Sequence, residues 1–100
     1  MILFKKQYRE LIRCGSKTTT IRLWKSRRVT PGKTYQCPFL GKLEILDARE
    51  ISPDDIDDAI ARSDGFDSAS ELRKEIAALY PPTQRDGRIL LLITFRYLGA

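Results

Sequence analysis

The sequence contains no histidine among its 100 residues and only two cysteines. Histidine is the commonest zinc ligand and the usual general base, so its absence excludes Ser-His, Cys-His and His-metal mechanisms. Cys14 and Cys37 are too far apart in the sequence to form a metal motif, and we expect reduced thiols. We therefore expect neither a metal site nor a cofactor, and any catalysis must use Lys, Thr, Ser, Tyr or carboxylate side chains.

Long apolar runs are also missing. The longest, Ile89 to Ile93, is far shorter than the roughly 20 residues that a transmembrane helix needs. Met1 leads into an amphipathic segment and not into a signal sequence. These absences predict a cytoplasmic protein that does not contact a membrane.

The length and the charge of the chain set two further limits. With 42% hydrophobic residues, 100 residues bury one modest core, so we treat residues 1–100 as a single domain. Residues 1–50 contain 12 basic and 4 acidic side chains, whereas residues 51–100 contain 6 and 9. The basic first half favours an anionic partner, because Lys and Arg that neutralise phosphates release counterions. A basic surface that only aids solubility is the alternative.

The spacing of apolar residues predicts a helix followed by a sheet. Phe4, Tyr8 and Ile12 recur at helical spacing, and Gly15 ends this helix after about Cys14. Thr18 to Trp24 alternates as a strand, with odd-numbered residues on one face and even-numbered residues on the other. Two more strands follow, around Tyr35 to Phe39 and from Leu43 to Ile51. The turns Thr30-Pro31-Gly32 and Leu40-Gly41-Lys42 separate the three strands, and we expect a meander.

The second half predicts two helices and a last strand. The first helix begins at Pro53 and ends near Arg62, with Ile56, Ala59 and Ile60 as its core stripe. The second has a capping box formed by Ser68 and Glu71 and is terminated by Pro81. Arg88 to Leu98 is almost continuously apolar, which favours a central strand that is covered on both faces. The pattern predicts an α+β domain, and closing its sheet into a barrel would remove the exposed edges.

The stretch from Gly15 to Arg22 carries the most chemistry. Lys17, Thr20 and Arg22 fall within six residues at the start of the predicted strand, and they predict a cationic pocket that contains a hydroxyl. A nearby guanidinium repels an ammonium, so Lys17 would lose its proton more readily and act as a base. A threonine hydroxyl beside such a base is a candidate nucleophile. The alternative is that the threonines serve β-propensity and that both cations are solvated.

The pattern Gly-x-Lys-x-x-Thr-x-Arg, at Gly15, Lys17, Thr20 and Arg22, resembles the signature of the ASCH domain family. Three later landmarks agree with that family: Asp64-Gly65-Phe66, the helix that ends in Tyr80-Pro81, and the last strand. The resemblance covers nearly the whole chain. It implies a small mixed β-barrel of the PUA-like type with two to three short helices.

The resemblance also implies a cleft for RNA or a modified nucleoside. Some small bacterial members are amidohydrolases that deacetylate N4-acetylcytidine with a Lys, a Thr and a Glu. Carried over by position, Lys17 is the base and Thr20 the nucleophile, while Asp64 stands where those enzymes have Glu and would orient the lysine or assist protonation of the leaving nitrogen. Arg22 would then stabilise the developing oxyanion or hold the ligand.

Binding without catalysis uses the same residues differently. Lys17 and Arg22 would contact a phosphate or a base edge, with Trp24 or Tyr35 as a stacking surface, unless Trp24 lies in the core. Three more cations would extend the positive charge towards the RNA backbone, or would only be solvated: Lys25, Arg27 and Arg28. We place RNA or nucleotide binding ahead of hydrolysis, because Asp64 is one methylene shorter than Glu and a neutral nucleoside does not require so basic a half.

Overall fold

The computed structural model describes residues 2–100, apart from the side chain of Gln84. These residues form three α-helices and four β-strands: α1 (Lys6–Arg13), β1 (Thr19–Trp24), β2 (Thr34–Cys37), β3 (Gly41–Glu50), α2 (Asp58–Ser63), α3 (Ala69–Leu79) and β4 (Ile89–Gly99). Two 3-10 turns, Pro53–Asp55 and Pro82–Gln84, flank the helical region. None of the helices in this range is long and apolar enough to cross a membrane.

The four strands form one antiparallel sheet in the order β1-β4-β3-β2. The strand β4 pairs with β1 from Thr94 to Ile89 and with β3 on its other side, so the prediction of a central last strand is confirmed. The predicted meander is wrong at β1, because β4 lies between β1 and β3. In residues 2–100, β1 and β2 are the two edges, and no pairing between them closes the sheet into a barrel.

Each face of the sheet covers its own hydrophobic cluster. In β4, Leu91 and Ile93 belong to one cluster, whereas Leu90 and Leu92 belong to the other. The first cluster is completed mainly by the N-terminal segment, α1 and the strands: Ile2, Phe4, Ile12, Trp24, Val29, Cys37, Leu40, Leu43, Ile45, Ala48 and Phe95. The second contains residues of β1, of the segment between β3 and α2, and of the two later helices: Ile21, Leu23, Ile51, Ile56, Ala61, Ala69, Leu72 and Ile76. The alternation predicted for β1 follows from this division, since Ile21 and Leu23 contact one cluster and Trp24 the other.

The helix predicted to begin at Pro53 is interrupted. Ile56 is extended, with φ −74° and ψ 115°, and α2 begins only after Asp57, whose carboxylate accepts a hydrogen bond from the Ile60 amide at 2.8 Å. A side-chain cap of this kind satisfies one of the free amides at a helix start, so it favours a new helix at Asp57. The break changes the phase of the buried face: Ile56 and Ala61 are buried, and the prediction of Ala59 as a core residue is wrong.

The predicted start and end of α3 are confirmed. The Ser68 hydroxyl accepts a hydrogen bond from the Glu71 amide at 3.3 Å, and the Glu71 carboxylate accepts one from the amide of Asp67 at 3.3 Å. These bonds satisfy helix-start amides that would otherwise lack partners. At the other end Tyr80 caps the helix before Pro81. The helix therefore lies over the second cluster with Leu72 and Ile76 facing inward.

Candidate functional site

A cleft of about 180 Å³ lies between the N-terminal segment, β1 and α3. Its polar lining includes Lys17, Thr20, Arg22 and Asp64. Aromatic and aliphatic side chains form most of the remaining wall: Leu3, Phe4, Tyr8, Ile21, Phe66, Leu72, Ile76, Leu79 and Tyr80. The structure therefore brings together four of the residues that the sequence singled out.

Lys17 enters this cleft from the loop between α1 and β1. Gly15 has φ +84°, which ends α1 and reverses the chain. The Lys17 amide then donates a hydrogen bond to the Leu11 carbonyl at 2.9 Å, so the residue is held against the end of the helix. As a result the Lys17 side chain is only 4% exposed.

Asp64 is brought to Lys17 by the end of α2. It is the C-terminal cap of that helix, and its backbone carbonyl accepts a hydrogen bond from Lys17 Nζ at 2.7 Å. Its carboxylate lies 3.3 Å from the same Nζ and also accepts a hydrogen bond from the Thr19 hydroxyl at 3.0 Å. Gly65 follows with φ +96°, and a Cβ there would lie 3.3 Å from the Leu11 side chain. Glycine thus lets the end of α2 approach α1 closely.

Burial dominates the electrostatics of this ion pair. It lowers the pKa of Lys17 and raises the pKa of Asp64, because the charged form of each is less stable away from water. The attraction between the two groups opposes both shifts. Repulsion from Arg22 also lowers the pKa of Lys17, as the sequence predicted, but it contributes less than burial does.

Arg22 connects β1 to the N-terminal segment. Its Nε donates a hydrogen bond to the Thr20 hydroxyl at 3.1 Å, and its Nη2 donates one to the Leu3 carbonyl at 2.6 Å. Its guanidinium also lies 5.0 Å from the centre of the Phe4 ring. Arg22 therefore holds one wall of the cleft in position. In residues 2–100 no hydrogen bond joins Lys17 to Thr20, and the Thr20 hydroxyl oxygen faces Arg22 instead.

The remaining predicted contact residues lie away from the cleft. Trp24 is 8% exposed and belongs to the first hydrophobic cluster. Lys25, Arg27 and Arg28 are exposed beyond the far end of β1, a strand of six residues that spans about 20 Å. Arg27 donates a hydrogen bond to the Ala48 carbonyl, and the Arg28 guanidinium lies 5.4 Å from the centre of the Trp24 ring.

Tyr35 lies on β2 and is half-buried. Its hydroxyl oxygen accepts a hydrogen bond from the Thr30 amide at 2.8 Å. Neither Tyr35 nor Trp24 contributes to the lining of the cleft in the part of the chain that the structure describes. The aromatic surface of the cleft comes from other elements.

Sequence reasoning did not identify several residues of the cleft. The sequence pattern predicts Tyr8 only as part of an apolar helix face and Tyr80 only as the end of a helix. Both line the cleft, and the Tyr8 ring centre lies 5.1 Å from Lys17 Nζ. Glu75 adds a carboxylate from α3, whereas Glu71 serves the helix start. One sequence signal could have identified Glu75. It directly precedes the buried Ile76 and lies one helical turn before Leu79, so it flanks the apolar stripe of α3 on the side of the cleft.

The rest of the described chain offers little for metal chemistry. No group of three or more His, Cys, Asp or Glu side chains is arranged for a metal ion among residues 2–100. Cys14 and Cys37 are both free thiols, the first exposed and the second buried. The chemistry of the site therefore comes from an ion pair, a hydroxyl, a guanidinium and aromatic walls.

The fold defines a small α+β domain that is found in other proteins of known structure. The chain is similar to the hypothetical protein PH0355, with a TM-score of 0.77 and 17% identity over 98% of this chain and 95% of that one. It is also similar to protein EF3133 from Enterococcus faecalis V583, of the family DUF984, with a TM-score of 0.68 and 14% identity over 93% and 71% of the two chains. Neither a family profile nor a curated protein sequence matches this chain. At these identities the similarity concerns the fold alone.

Proposed function

We propose that this protein is an ASCH-type domain with a PUA-like fold, and that its cleft binds a nucleobase of RNA or of a free nucleotide. The observation that carries the proposal is the convergence of the motif residues. Lys17 and Asp64 are 47 residues apart in the sequence, yet they form one buried pair beside Thr20 and Arg22. Buried charge is unfavourable unless it is paired, and such pairs in clefts are concentrated at functional sites.

The chemistry of the cleft suits a planar, polar ligand. Lys17 and Arg22 supply hydrogen-bond donors, and Thr20 supplies a hydroxyl, all of which match the carbonyl and ring-nitrogen acceptors of a base. Tyr8, Phe66 and Tyr80 supply aromatic surface for stacking. The volume of about 180 Å³ accommodates a base and not a long segment of polymer.

The exposed cations support a polymeric ligand. Lys25, Arg27 and Arg28 lie beyond the far end of β1, and we propose that they contact RNA phosphates while a base occupies the cleft. Phosphate contacts of this kind position a strand without reading its sequence. RNA binding also fits the cytoplasmic location that the sequence predicts.

The test is the binding of a fluorescein-labelled single-stranded RNA, followed by anisotropy, with free nucleosides as competitors. Leu79→Glu introduces a carboxylate at the exposed rim of the cleft and is expected to weaken both RNA and nucleoside binding. Leu98→Glu is the matched control, because Leu98 and Leu79 are similarly exposed, at 47% and 43%, and Leu98 does not line the cleft. Equal effects of the two substitutions would overturn the assignment of the cleft.

A second candidate function is the deacetylation of N4-acetylcytidine, which the buried Lys17–Asp64 pair favours. Burial lowers the pKa of Lys17, so a neutral amine that can accept a proton forms at lower pH than for a solvated lysine. In that reaction Lys17 takes the Thr20 proton, the Thr20 oxygen attacks the acetyl carbonyl, and the proton passes to the departing cytosine nitrogen. Water then hydrolyses the acetyl ester. Ligand binding would have to bring Lys17 and Thr20 into contact, because no hydrogen bond joins them in residues 2–100.

This candidate is tested by measuring acetate release from N4-acetylcytidine. Turnover that is abolished in Thr20→Ala and Lys17→Ala would establish the hydrolase. Thr18→Ala is the matched control, because Thr18 belongs to the same threonine triplet but is exposed. Absence of turnover in the native protein would leave nucleobase binding as the function, whereas turnover that survives Thr20→Ala would reject Thr20 as the nucleophile.

A further inference from the structure

Phe39 has an unusual backbone conformation for an aromatic residue. It follows Pro38 in the β2–β3 turn, where the Leu40 amide donates a hydrogen bond to the Cys37 carbonyl at 3.2 Å. Phe39 has φ 64°, and among residues 2–100 every other residue with a positive φ is glycine. A proline followed by a positive φ is typical of a type II turn, in which the second of these positions favours Gly or Asn. A bulky side chain there is unfavourable, and such outliers are concentrated at functional sites.

The Phe39 side chain also gains little from packing. It is 80% exposed, the largest exposed fraction among the large hydrophobic residues that the structure describes as exposed. A glycine would fit the turn better, and burial of the ring does not compensate for the difference. Stabilisation of the protein's own core therefore does not explain why an aromatic ring stands at this position.

Two arginines of α1 hold the turn and its ring. The Arg9 guanidinium lies 5.0 Å from the centre of the Phe39 ring, and Arg13 Nη2 donates a hydrogen bond to the Phe39 carbonyl at 2.8 Å. The Nε of Arg9 has no hydrogen-bond partner within residues 2–100, and its guanidinium faces the Phe39 ring. We call Arg9, Arg13 and Phe39 the α1 patch.

A groove extends from Arg13 of the α1 patch to Lys17. Arg13 lines this groove of about 450 Å³ together with Arg96, Cys14 and Thr94. Lys17 lines both the groove and the cleft, so the two cavities are adjacent at this residue. Two exposed cations therefore line the groove: Arg13, which is also paired with Glu10, and Arg96, which is also paired with Glu44.

We propose that the α1 patch is a second binding site for single-stranded RNA, in which a base stacks on Phe39 and the adjoining phosphates follow the groove past Arg13 and Arg96 towards the cleft. The inference rests on the proposed binding of RNA and extends it to a surface outside the cleft. Exposed aromatic rings flanked by Arg are typical of single-strand binding, since every base has a face that stacks. The net charge of the first half favours a polyanion over an apolar protein partner, because 12 of its residues are basic and 4 acidic.

The decisive variant is Phe39→Gly. Loss of the stacking ring is expected to weaken the binding of a short labelled single-stranded RNA about tenfold. The same change is expected to raise the melting temperature, because glycine adopts φ 64° without strain. A purely structural role for Phe39 would lower stability and affinity together, so the opposite signs identify a binding role. Phe39→Trp keeps a stacking surface and is expected to retain the affinity.

The arginine contact is tested through the salt dependence of the same binding. Arg13→Gln is expected to reduce the slope of log K against log salt concentration by about 0.7, the value for one phosphate contact with a single strand. Arg62→Gln is the control, because Arg62 is exposed on α2 and lies outside both cavities. An unchanged slope in Arg13→Gln would remove the arginine from the proposed site.

The outcomes separate this inference from the proposed function. RNA binding that is weakened by Leu79→Glu but not by Phe39→Gly overturns the α1 patch and keeps the cleft. The reverse result keeps the α1 patch and overturns the cleft. A native protein that binds nucleosides but no single-stranded RNA overturns the α1 patch while leaving nucleotide binding in the cleft intact.

Discussion

The two ends of β1 carry the same kind of side chain in opposite environments. Lys17 precedes the strand and is 4% exposed, whereas Lys25 follows it and is exposed. Lys17 is paired with Asp64 and lines the cleft, whereas beside Lys25 the Arg27 side chain donates a hydrogen bond to a carbonyl and Arg28 lies over an aromatic ring. In a list of residues these cations form one basic stretch. In the fold they line a candidate site at one end of β1 and form a charged surface at the other.

The difference shows how burial changes what a charge does. A buried lysine has a defined partner and a lowered pKa, so it acts at short range on whatever enters the cleft. An exposed cation is screened by water and salt and acts on the approach of a polyanion. Substitutions that are chemically identical at the two ends should therefore have unequal effects.

The largest effect is expected from Lys17→Met. Removal of the lysine leaves the Asp64 carboxylate buried without its partner, and we expect a loss of about 3 kcal/mol in the free energy of unfolding at neutral pH. Lys25→Met should change it by less than about 0.5 kcal/mol, because Lys25 is exposed. Urea denaturation of the two variants and the native protein measures the difference.

The double variant Lys17→Met, Asp64→Asn sharpens this result. It removes both charges, so it should recover more than half of the stability that Lys17→Met loses. If single and double variants were equally unstable, packing of the lysine chain and not the unpaired carboxylate would be the cause.

A smaller difference is expected between Arg22→Lys and Arg27→Lys. Lysine lacks the guanidinium geometry with which Arg22 bridges the Thr20 hydroxyl and the Leu3 carbonyl. Arg22→Lys should therefore lower the free energy of unfolding by about 2 kcal/mol. The N-terminal segment should also exchange its amide hydrogens faster in Arg22→Lys, as measured by mass spectrometry. Arg27→Lys should have a minor effect, and an equally fast exchange in that variant would contradict a specific anchor at Arg22.

The smallest effect concerns the two cysteines. Like the cations at the two ends of β1, one of them is buried and the other is exposed. A hydrogen bond with Ser16 lowers the pKa of the exposed Cys14, and burial raises the pKa of Cys37. As pH rises, Cys14 should therefore reach its reactive thiolate form first, and iodoacetamide should alkylate it before Cys37. Ser16→Ala should shift alkylation of Cys14 to higher pH without changing the melting temperature. An unaltered pH profile would exclude the hydrogen bond as the cause.

Local patterns predicted the elements better than they predicted their arrangement. The capping residues of α3, the stop at Gly15 and the central position of β4 were all readable, because each depends on neighbouring residues or on one continuous apolar run. The predicted meander was wrong, because strand order depends on which distant strand pairs best and not on succession in the chain. The break at Ile56 was missed, because two capping arrangements competed within a few residues.

The sequence by itself determined the polar motif on one wall of the candidate site. Gly15, Lys17, Thr20 and Arg22 are close in the chain, and their residue types limit what this motif supplies to cations and a hydroxyl. It also determined that none of these 100 residues supplies a histidine to the site. Residue types and their spacing are local properties, so they do not depend on how the other helices and strands pack.

Only the tertiary structure decided which of these groups act together. Asp64 meets Lys17 because α2 ends against the start of β1, and the aromatic walls meet because α1 and α3 lie on either side of that strand end. The same packing left Lys25, Arg27 and Arg28 outside the cleft and exposed Phe39 beside Arg9. Burial and proximity between distant segments arise from the collapse of the whole chain, and no local pattern encodes them.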